Sequence, residues 1–253
     1  MKYIVIAFLF MACTNIHPLK DVPPISIEPL DTIQFERGNI TATPVIFETS
    51  FLKGTQQPLK NLNTRLYGVT IGKLKVTSGR IIACDPMHID EYGKPFTQIF
   101  PTGEFPVQLS IAKFPEKETI AFSRIKFSDE PVVKWEFALL EGQAQIPLGG
   151  EEIHGFSIDA GVAVFIDEEA NKALDFKTMV YDMNGLVYRE MDKHYHNDWK
   201  YVVYDFKDHN LAAFSSGKGD GYYASYVGLD VKGNPCRLLT DFNLFNWNQV
   251  NSE

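Results

Sequence analysis

The sequence predicts a mainly β fold with some helix (α+β), in which antiparallel sheets pack in a sandwich-like arrangement. Three observations support this prediction. Of 253 residues, 45% are hydrophobic and 22% charged, which is typical of a globular protein. Apolar and polar residues alternate in several runs, and turn residues separate those runs. One acidic segment before the last quarter of the chain has the composition of a short helical insertion.

The first twelve residues have the pattern of a signal peptide. Lys2 precedes the apolar run 4–12, which is about half the length needed to cross a bilayer. Ala12 then precedes Cys13, as in the lipobox of bacterial lipoproteins, although Phe10 stands where Leu is usual. We therefore expect Cys13 to carry lipid and residues 13–31, which contain four prolines, to form a tether. An uncleaved or coincidental apolar N-terminus is the alternative.

This leader predicts the location and one partner. A lipid on Cys13 would anchor the protein to a membrane in the bacterial cell envelope, and the absence of an acidic run after Cys13 favours the periplasm-facing side. Residues 32–253 are then expected to form a single β-rich domain.

The strands of this domain are predicted from period-two alternation. In the run 104–114, Phe105, Val107, Leu109 and Ile111 share one face, which indicates a half-buried strand. Comparable runs lie at residues 66–76, 80–84, 119–127, 132–140 and 157–166.

The helical insertion follows these strands. Asp167 is a capping-type residue followed by two acids and good helix formers, which predicts a short helix to residue 174. A second helical stretch is predicted over residues 177–194, with Asn184-Gly185 as a potential break.

The last quarter of the chain predicts four strands joined as an antiparallel meander. These strands lie at residues 199–206, 211–216, 222–229 and 235–241, with turn residues between them.

Charge and motif content exclude several function classes. There are 24 basic and 32 acidic residues, a net charge of −8 that repels phosphate backbones and gives no support for nucleic-acid binding. The sequence contains no Gly-x-Ser-x-Gly elbow, no His-Glu-x-x-His motif and no dinucleotide fingerprint.

Four segments of the chain form a recognisable set: 79–86, 101–107, 155–161 and the glycine- and tyrosine-rich run 214–242. In sequence and in order, from about Leu66 to Phe242, they resemble the bacterial family catalogued as domain of unknown function 4241. The resemblance implies no activity, catalytic residue or cofactor, so the cofactor is unknown. The lipoprotein leader is a departure, because many members of that family lack it.

Three acids and one serine are candidates for catalysis. Asp159 interrupts an apolar run, and Asp85 precedes a proline; together they could form an acid/base or metal-binding pair. Asp220 lies in a glycine-rich loop, and Ser216 adjoins it. The alternative is that the acids hydrogen-bond backbone amides, which is the usual role of a buried carboxylate.

The glycine-rich loop 217–221 and its surroundings are candidates for binding. Lys218 and Asp241 would lie at one end of the meander, and Tyr222 and Tyr226 would share one face of the strand that follows the loop. Asp220 and Asp230 stand at opposite ends of that strand and cannot share an ion. A hairpin that is only structural is the alternative. We assign no metal site: His88 and the pair in His194-Tyr195-His196 lack a third ligand.

Two functional hypotheses follow. The first is a non-enzymatic envelope lipoprotein that binds a protein or a glycan through the aromatic end of the meander. The alternative is a hydrolase or metal-assisted enzyme that uses Asp85, Asp159 and Asp220. Two further cysteines, Cys84 and Cys236, either form a disulfide or remain buried thiols.

Overall fold

The computed structural model describes residues 42–59 and 62–248, without the side chains of residues 62 and 63. The predicted signal peptide, Cys13 and the tether lie outside the described residues. No helix within these two ranges is long and apolar enough to cross a membrane.

The strands predicted from alternation are present, with somewhat different bounds. In chain order, the strands of the described residues are β1 Thr55–Leu59, β2 Leu62–Val76, β3 Ile81–Cys84, β4 Gly103–Lys113, β5 Glu118–Lys126, β6 Lys134–Phe137, β7 Gly155–Ile158, β8 Val162–Asp167, β9 Tyr195–His196, β10 Trp199–Phe206, β11 His209–Ser215, β12 Gly221–Leu229 and β13 Pro235–Asp241. The helices are short: α1 Ile46–Thr49, α2 Ile89–Tyr92, α3 Glu168–Ala173, α4 Phe176–Met179 and α5 Leu186–Lys193.

The strands form two antiparallel sheets, as the predicted fold class requires. Within the described residues the larger sheet has the order β1-β2-β4-β5-β13-β12-β6, and β7 pairs with β12 beside β6. The smaller sheet has the order β3-β8-β11-β10-β9.

The sheets bury apolar residues in three layers. Between the sheets, Leu74, Val107 and Leu238 of the large sheet pack with Phe165 and Phe214 of the small sheet. A second cluster covers the outer face of the large sheet, where α1 and the C-terminal segment meet. A third cluster lies between the outer face of the small sheet and helices α2 to α5. Each sheet is therefore covered on both faces, which explains the nearly continuous burial of β5, β8 and β13.

The structure corrects three predicted elements. The predicted strand 157–166 is two strands, β7 and β8, because the chain turns at residues 159–161. The predicted helix 177–194 is likewise two helices separated by residues 180–185, at the Asn184-Gly185 break. The prediction of a continuous four-stranded meander was wrong: β10–β11 lies in the small sheet and β12–β13 in the large one, since the loop after β11 crosses between the sheets.

Both described cysteines are free and buried, so the disulfide alternative is wrong. Cys84 packs in the cluster outside the small sheet, and Cys236 packs in the cluster outside the large sheet. Burial raises the pKa of both thiols, in Cys236 to about 11, which favours their neutral form.

The long strand β2 passes close to the small sheet. Asn210 of β11 bridges to it: the Lys75 N–H donates to Asn210 Oδ1 at 2.8 Å, and Asn210 Nδ2 donates to the Lys73 carbonyl at 3.0 Å. The pairing of β2 with β4 has a bulge between Thr70 and Gly72, and Gly72 has φ of +148°. A Cβ on Gly72 would lie 2.7 Å from Val203 Cγ2 of β10. Only glycine fits both the backbone conformation and this approach.

We expect Gly72→Ala to destabilise the protein by about 1–3 kcal/mol, through overlap with Val203 and an unfavourable φ. Chemical denaturation measures the free energy of unfolding. Gly54→Ala is the matched control, because Gly54 has φ of +86° but no atom within 4 Å of the added Cβ. A cost no larger than that of Gly54→Ala, or no recovery on adding Val203→Ala, would contradict the role of close packing.

Candidate functional site

Asp85 is a buried carboxylate at the end of β3, and its oxygens bond backbone amides. Oδ1 accepts from the Met87 N–H at 2.8 Å, at the start of a 3-10 turn. Oδ2 accepts from the N–H groups of Asp159 and Ala160 at 2.8 and 2.9 Å. Asp85 therefore fixes the turn between β7 and β8. The chain brings Asp85 and Asp159 together, but through the backbone of Asp159 rather than as a pair of carboxylates.

Ser216 is buried and holds the loop that leads from β11 to β12. Its hydroxyl donates to the Gly219 carbonyl at 2.8 Å, and its N–H donates to the Gly161 carbonyl at 3.0 Å. Tyr223 also donates its hydroxyl to Gly219, at 2.8 Å. The turn at residues 159–161 and the loop at residues 216–221 are consequently bonded to each other.

Gly217 allows this loop to pass close to the large sheet. It has φ of +59°, and an added Cβ would lie 2.6 Å from Phe242 Cβ and 2.9 Å from the Ile120 carbonyl oxygen. The Gly217 carbonyl accepts from the Thr119 hydroxyl at 2.7 Å. The loop is thus held by the large sheet at Gly217 and by the turn 159–161 at Ser216, and the side chains of Lys218 and Asp220 that follow are exposed.

The side chains displayed by the two loops are exposed. Lys218 and Asp220 make no ion pair with any described residue, and Asp159 has 72% of its side chain exposed. Tyr222 follows on β12, 46% exposed, with its hydroxyl accepting from the Gly155 N–H at 3.0 Å. We name these four residues, together with His88, the recognition face.

His88 extends this face on the side of the 3-10 turn. Its Nε2 lies 3.6 Å from Asp159 Oδ2, and its ring centroid lies 6.0 Å from that of Tyr92. The side chains of His88 and Asp159 are 40% and 72% exposed, so this is a solvated contact of small energetic weight.

Two predicted binding residues, Tyr226 and Asp241, are buried and not available to a ligand on the surface. Tyr226 packs against Phe47 of α1 and Phe137, with ring centroids 4.8 and 4.9 Å apart. Asp241 Oδ2 accepts from Trp247 Nε1 at 2.6 Å, and Oδ1 accepts from the Asn243 N–H at 2.8 Å. Burial raises the pKa of Asp241 to about 6 despite these two donors.

The two histidines of residues 194–196 both lie near the ring of Tyr201. The ring centroids of His194 and His196 are 5.2 and 6.0 Å from that of Tyr201, and His196 also stacks on Trp199. Among the residues that the structure describes, no three His, Cys, Asp or Glu side chains form a group able to hold a metal ion.

Sequence reasoning missed a buried charge cluster on the outer face of the large sheet. Glu48 of α1 accepts from Arg124 at 2.8 Å and from Arg237 at 3.1 Å, and Arg124 also donates to Gln108 at 2.8 Å. Desolvation lowers the pKa of Arg124 to about 10. The sequence signal for this cluster was an arginine within each of two apolar strands, Arg124 in β5 and Arg237 in β13. A buried arginine requires an acidic partner, which here comes from another element.

The comparisons with known proteins identify a family. Residues 74–240 match the family model described as "Protein of unknown function (DUF4241)", and the chain therefore belongs to this family. The match includes the turn at 159–161 and the loop at 216–221. No curated protein matches the chain, and no solved structure matches it either.

We expect Asp85→Asn to destabilise the protein by about 1–3 kcal/mol, because one oxygen that accepts a backbone N–H is replaced by an amide donor. Asp159→Asn, at an exposed side chain, should change the free energy of unfolding by less than about 0.5 kcal/mol. Urea denaturation compares them. Equal effects of the two substitutions would show that the Asp85 carboxylate does not hold the turn.

Asp241 should make stability depend on pH. Its pKa is raised from 3.8 to about 6, so the folded state binds the proton more tightly, and this stabilisation is lost as pH rises through about 6. Between pH 4 and 7 the unfolding free energy of the unsubstituted protein, relative to that of Asp241→Asn, should fall by about 2 kcal/mol. Denaturation across this range tests it, and a difference that is constant with pH would contradict it.

Proposed function

We propose that this member of the DUF4241 family is a lipid-anchored envelope protein that binds a protein ligand through its recognition face and is not an enzyme. The supporting observation is the pair of mutually bonded loops, in which buried Asp85 and Ser216 hold the backbone while Asp159, Lys218 and Asp220 project into solvent. Loops fixed on a rigid sheet lose little conformational entropy when a ligand binds.

The chemistry of the face favours a protein over a glycan. Lys218 and Asp220 carry opposite charges with no partner among the described residues, and such charges orient and select a protein partner. A glycan is bound largely by exposed aromatic faces, and Tyr226, one of the two tyrosines predicted to share a strand face, is buried. Tyr222 alone remains from that pair.

The contacts of the candidate acids and serine give less support to the hydrolase alternative. The two oxygens of Asp85 together accept three backbone N–H groups, and the buried Ser216 hydroxyl donates to a carbonyl within its own loop. A nucleophile or general base needs reach to a substrate, which these two groups do not have in this conformation. Asp159 and Asp220 are accessible, and a binding face uses them without further rearrangement.

The lipid anchor is proposed from the sequence of the leader. An apolar run that ends at Ala12-Cys13 is the basis for acylation of Cys13 and for a tether over residues 13–31. The proposed cell-envelope location, on the periplasm-facing side, follows from the same residues.

A photo-crosslinking amino acid at position 218 should capture a specific protein in intact cells of the source organism. Position 231 is the matched control, because Val231 is 78% exposed and follows the opposite end of the nine-residue strand β12. Asp220→Lys should lower the yield of the adduct at position 218. Mass spectrometry identifies the adduct.

Three results would count against this function. They are equal capture at positions 218 and 231, an adduct that contains glycan and no protein, and turnover of any substrate that Asp159→Asn or Asp220→Asn abolishes.

Cys13→Ala should abolish incorporation of an alkyne-labelled fatty acid and release the protein from the membrane fraction. Thr14→Ala, which changes the adjacent residue, should leave both unchanged. Labelling that persists in Cys13→Ala would remove the anchor from the proposal.

A further inference from the structure

A cleft opens between the two sheets, next to the recognition face. Its apolar walls include Phe96, Leu140 and Phe156, and its polar lining includes Lys94, Gln143 and His154. Its enclosed volume is about 20 Å³, which is room for one or two groups the size of a water molecule. A group of a few heavy atoms fits such a cleft better than a whole cofactor does.

The polar lining of the cleft consists mainly of donors. Lys94 is exposed and makes no ion pair with a described residue. Gln143 Oε1 accepts from the Leu140 N–H at 2.8 Å, so its Nε2 donors are left over. His154 Nε2 lies 2.8 Å from the Ala144 carbonyl oxygen, which fixes the ring. None of the described residues that line the cleft is acidic.

A carboxylate meets the requirements of this lining. It is small, it accepts from an ammonium and from an amide at once, and the methylenes that carry it can contact Phe96 and Phe156. The positive charge of Lys94 has no competing partner on the walls. A protein supplies such a group as an acidic side chain or as its C-terminus.

Two contacts show that the cleft adjoins the recognition face. Gly155, which lines the cleft, donates its N–H to Tyr222 at 3.0 Å. Tyr92, also in the lining, lies against His88, with ring centroids 6.0 Å apart. A ligand seated on the recognition face can therefore reach the cleft.

We propose that the cleft between the sheets receives a carboxylate of the bound protein, held by Lys94 and Gln143. The identity of the ligand as a protein rests on the proposed function. The carboxylate site itself does not need the partner, because it can be tested with a small probe.

Propionate, which reproduces the end of a glutamate side chain, is titrated into the full-length chain and compared with propionamide, its neutral analogue. NMR should show saturable shifts of the Lys94, Gly155 and Phe156 amide signals with propionate, in the millimolar range expected for so small a ligand. Propionamide should give no saturable shift.

Two substitutions test the named donors. Lys94→Gln should weaken propionate binding about threefold to fivefold, whereas Lys73→Gln, which removes an exposed charge outside the cleft, should not. Gln143→Glu keeps the acceptor for the Leu140 N–H but places a negative charge in the cleft, and it should abolish the shifts.

The carboxylate site is overturned if propionate and propionamide act alike, if no shift saturates, or if Lys94→Gln and Lys73→Gln are equivalent. Loss of crosslinking at position 218 would instead overturn the protein-binding function and leave the propionate result standing. The two proposals can therefore fail separately.

Discussion

The turn at residues 159–161 depends on one carboxylate, that of Asp85. It ends a strand of the small sheet, yet it accepts from the backbone of the turn that carries the chain from the large sheet back to the small one. Its two oxygens together accept three backbone N–H groups, which removes the cost of leaving either the buried carboxylate or those amides unpaired. The Gly161 carbonyl of the same turn accepts from the Ser216 N–H, so the turn that Asp85 holds is also bonded to the glycine-rich loop.

Glu48 is a second buried acid that joins separate elements, and it lies on the outer face of the large sheet. Glu48 lies between Arg124 and Arg237, and it ties α1 to strands that are distant in sequence. Burying one acid with two arginines is costly unless every group is bonded, and Gln108 and the carbonyls of Ser128 and Cys236 supply further acceptors. The cluster therefore specifies where α1 docks, in a layer that otherwise consists of interchangeable apolar contacts.

The strands were predictable because alternation is a local property, whereas the positions of side chains relative to one another were not. Asp159 was expected inside a strand, but it is the first residue of a three-residue turn. Asp85, 74 positions earlier, holds this turn by accepting a hydrogen bond from the Asp159 N–H. Tyr226 and Asp241 were expected on the surface; α1 and the C-terminal Trp247 cover them. The exposed positions of Lys218, Asp220 and Tyr222 agree with their sequence pattern, since glycines around them mark a loop that needs no burial.

The path of the chain explains why the proposed binding residues lie on neighbouring loops. Strands β11 and β12 belong to different sheets, so the loop between them must cross the gap where the sheets separate. The turn between β7 and β8 crosses the same gap in the same way, and the two crossings bond to each other. Residues 159–161 and 216–220 belong to no strand; Asp159, Lys218 and Asp220 there are exposed, whereas Ser216 is buried. The exposure of Lys218 and Asp220 at this edge is therefore a consequence of the topology, because their segment joins neither sheet.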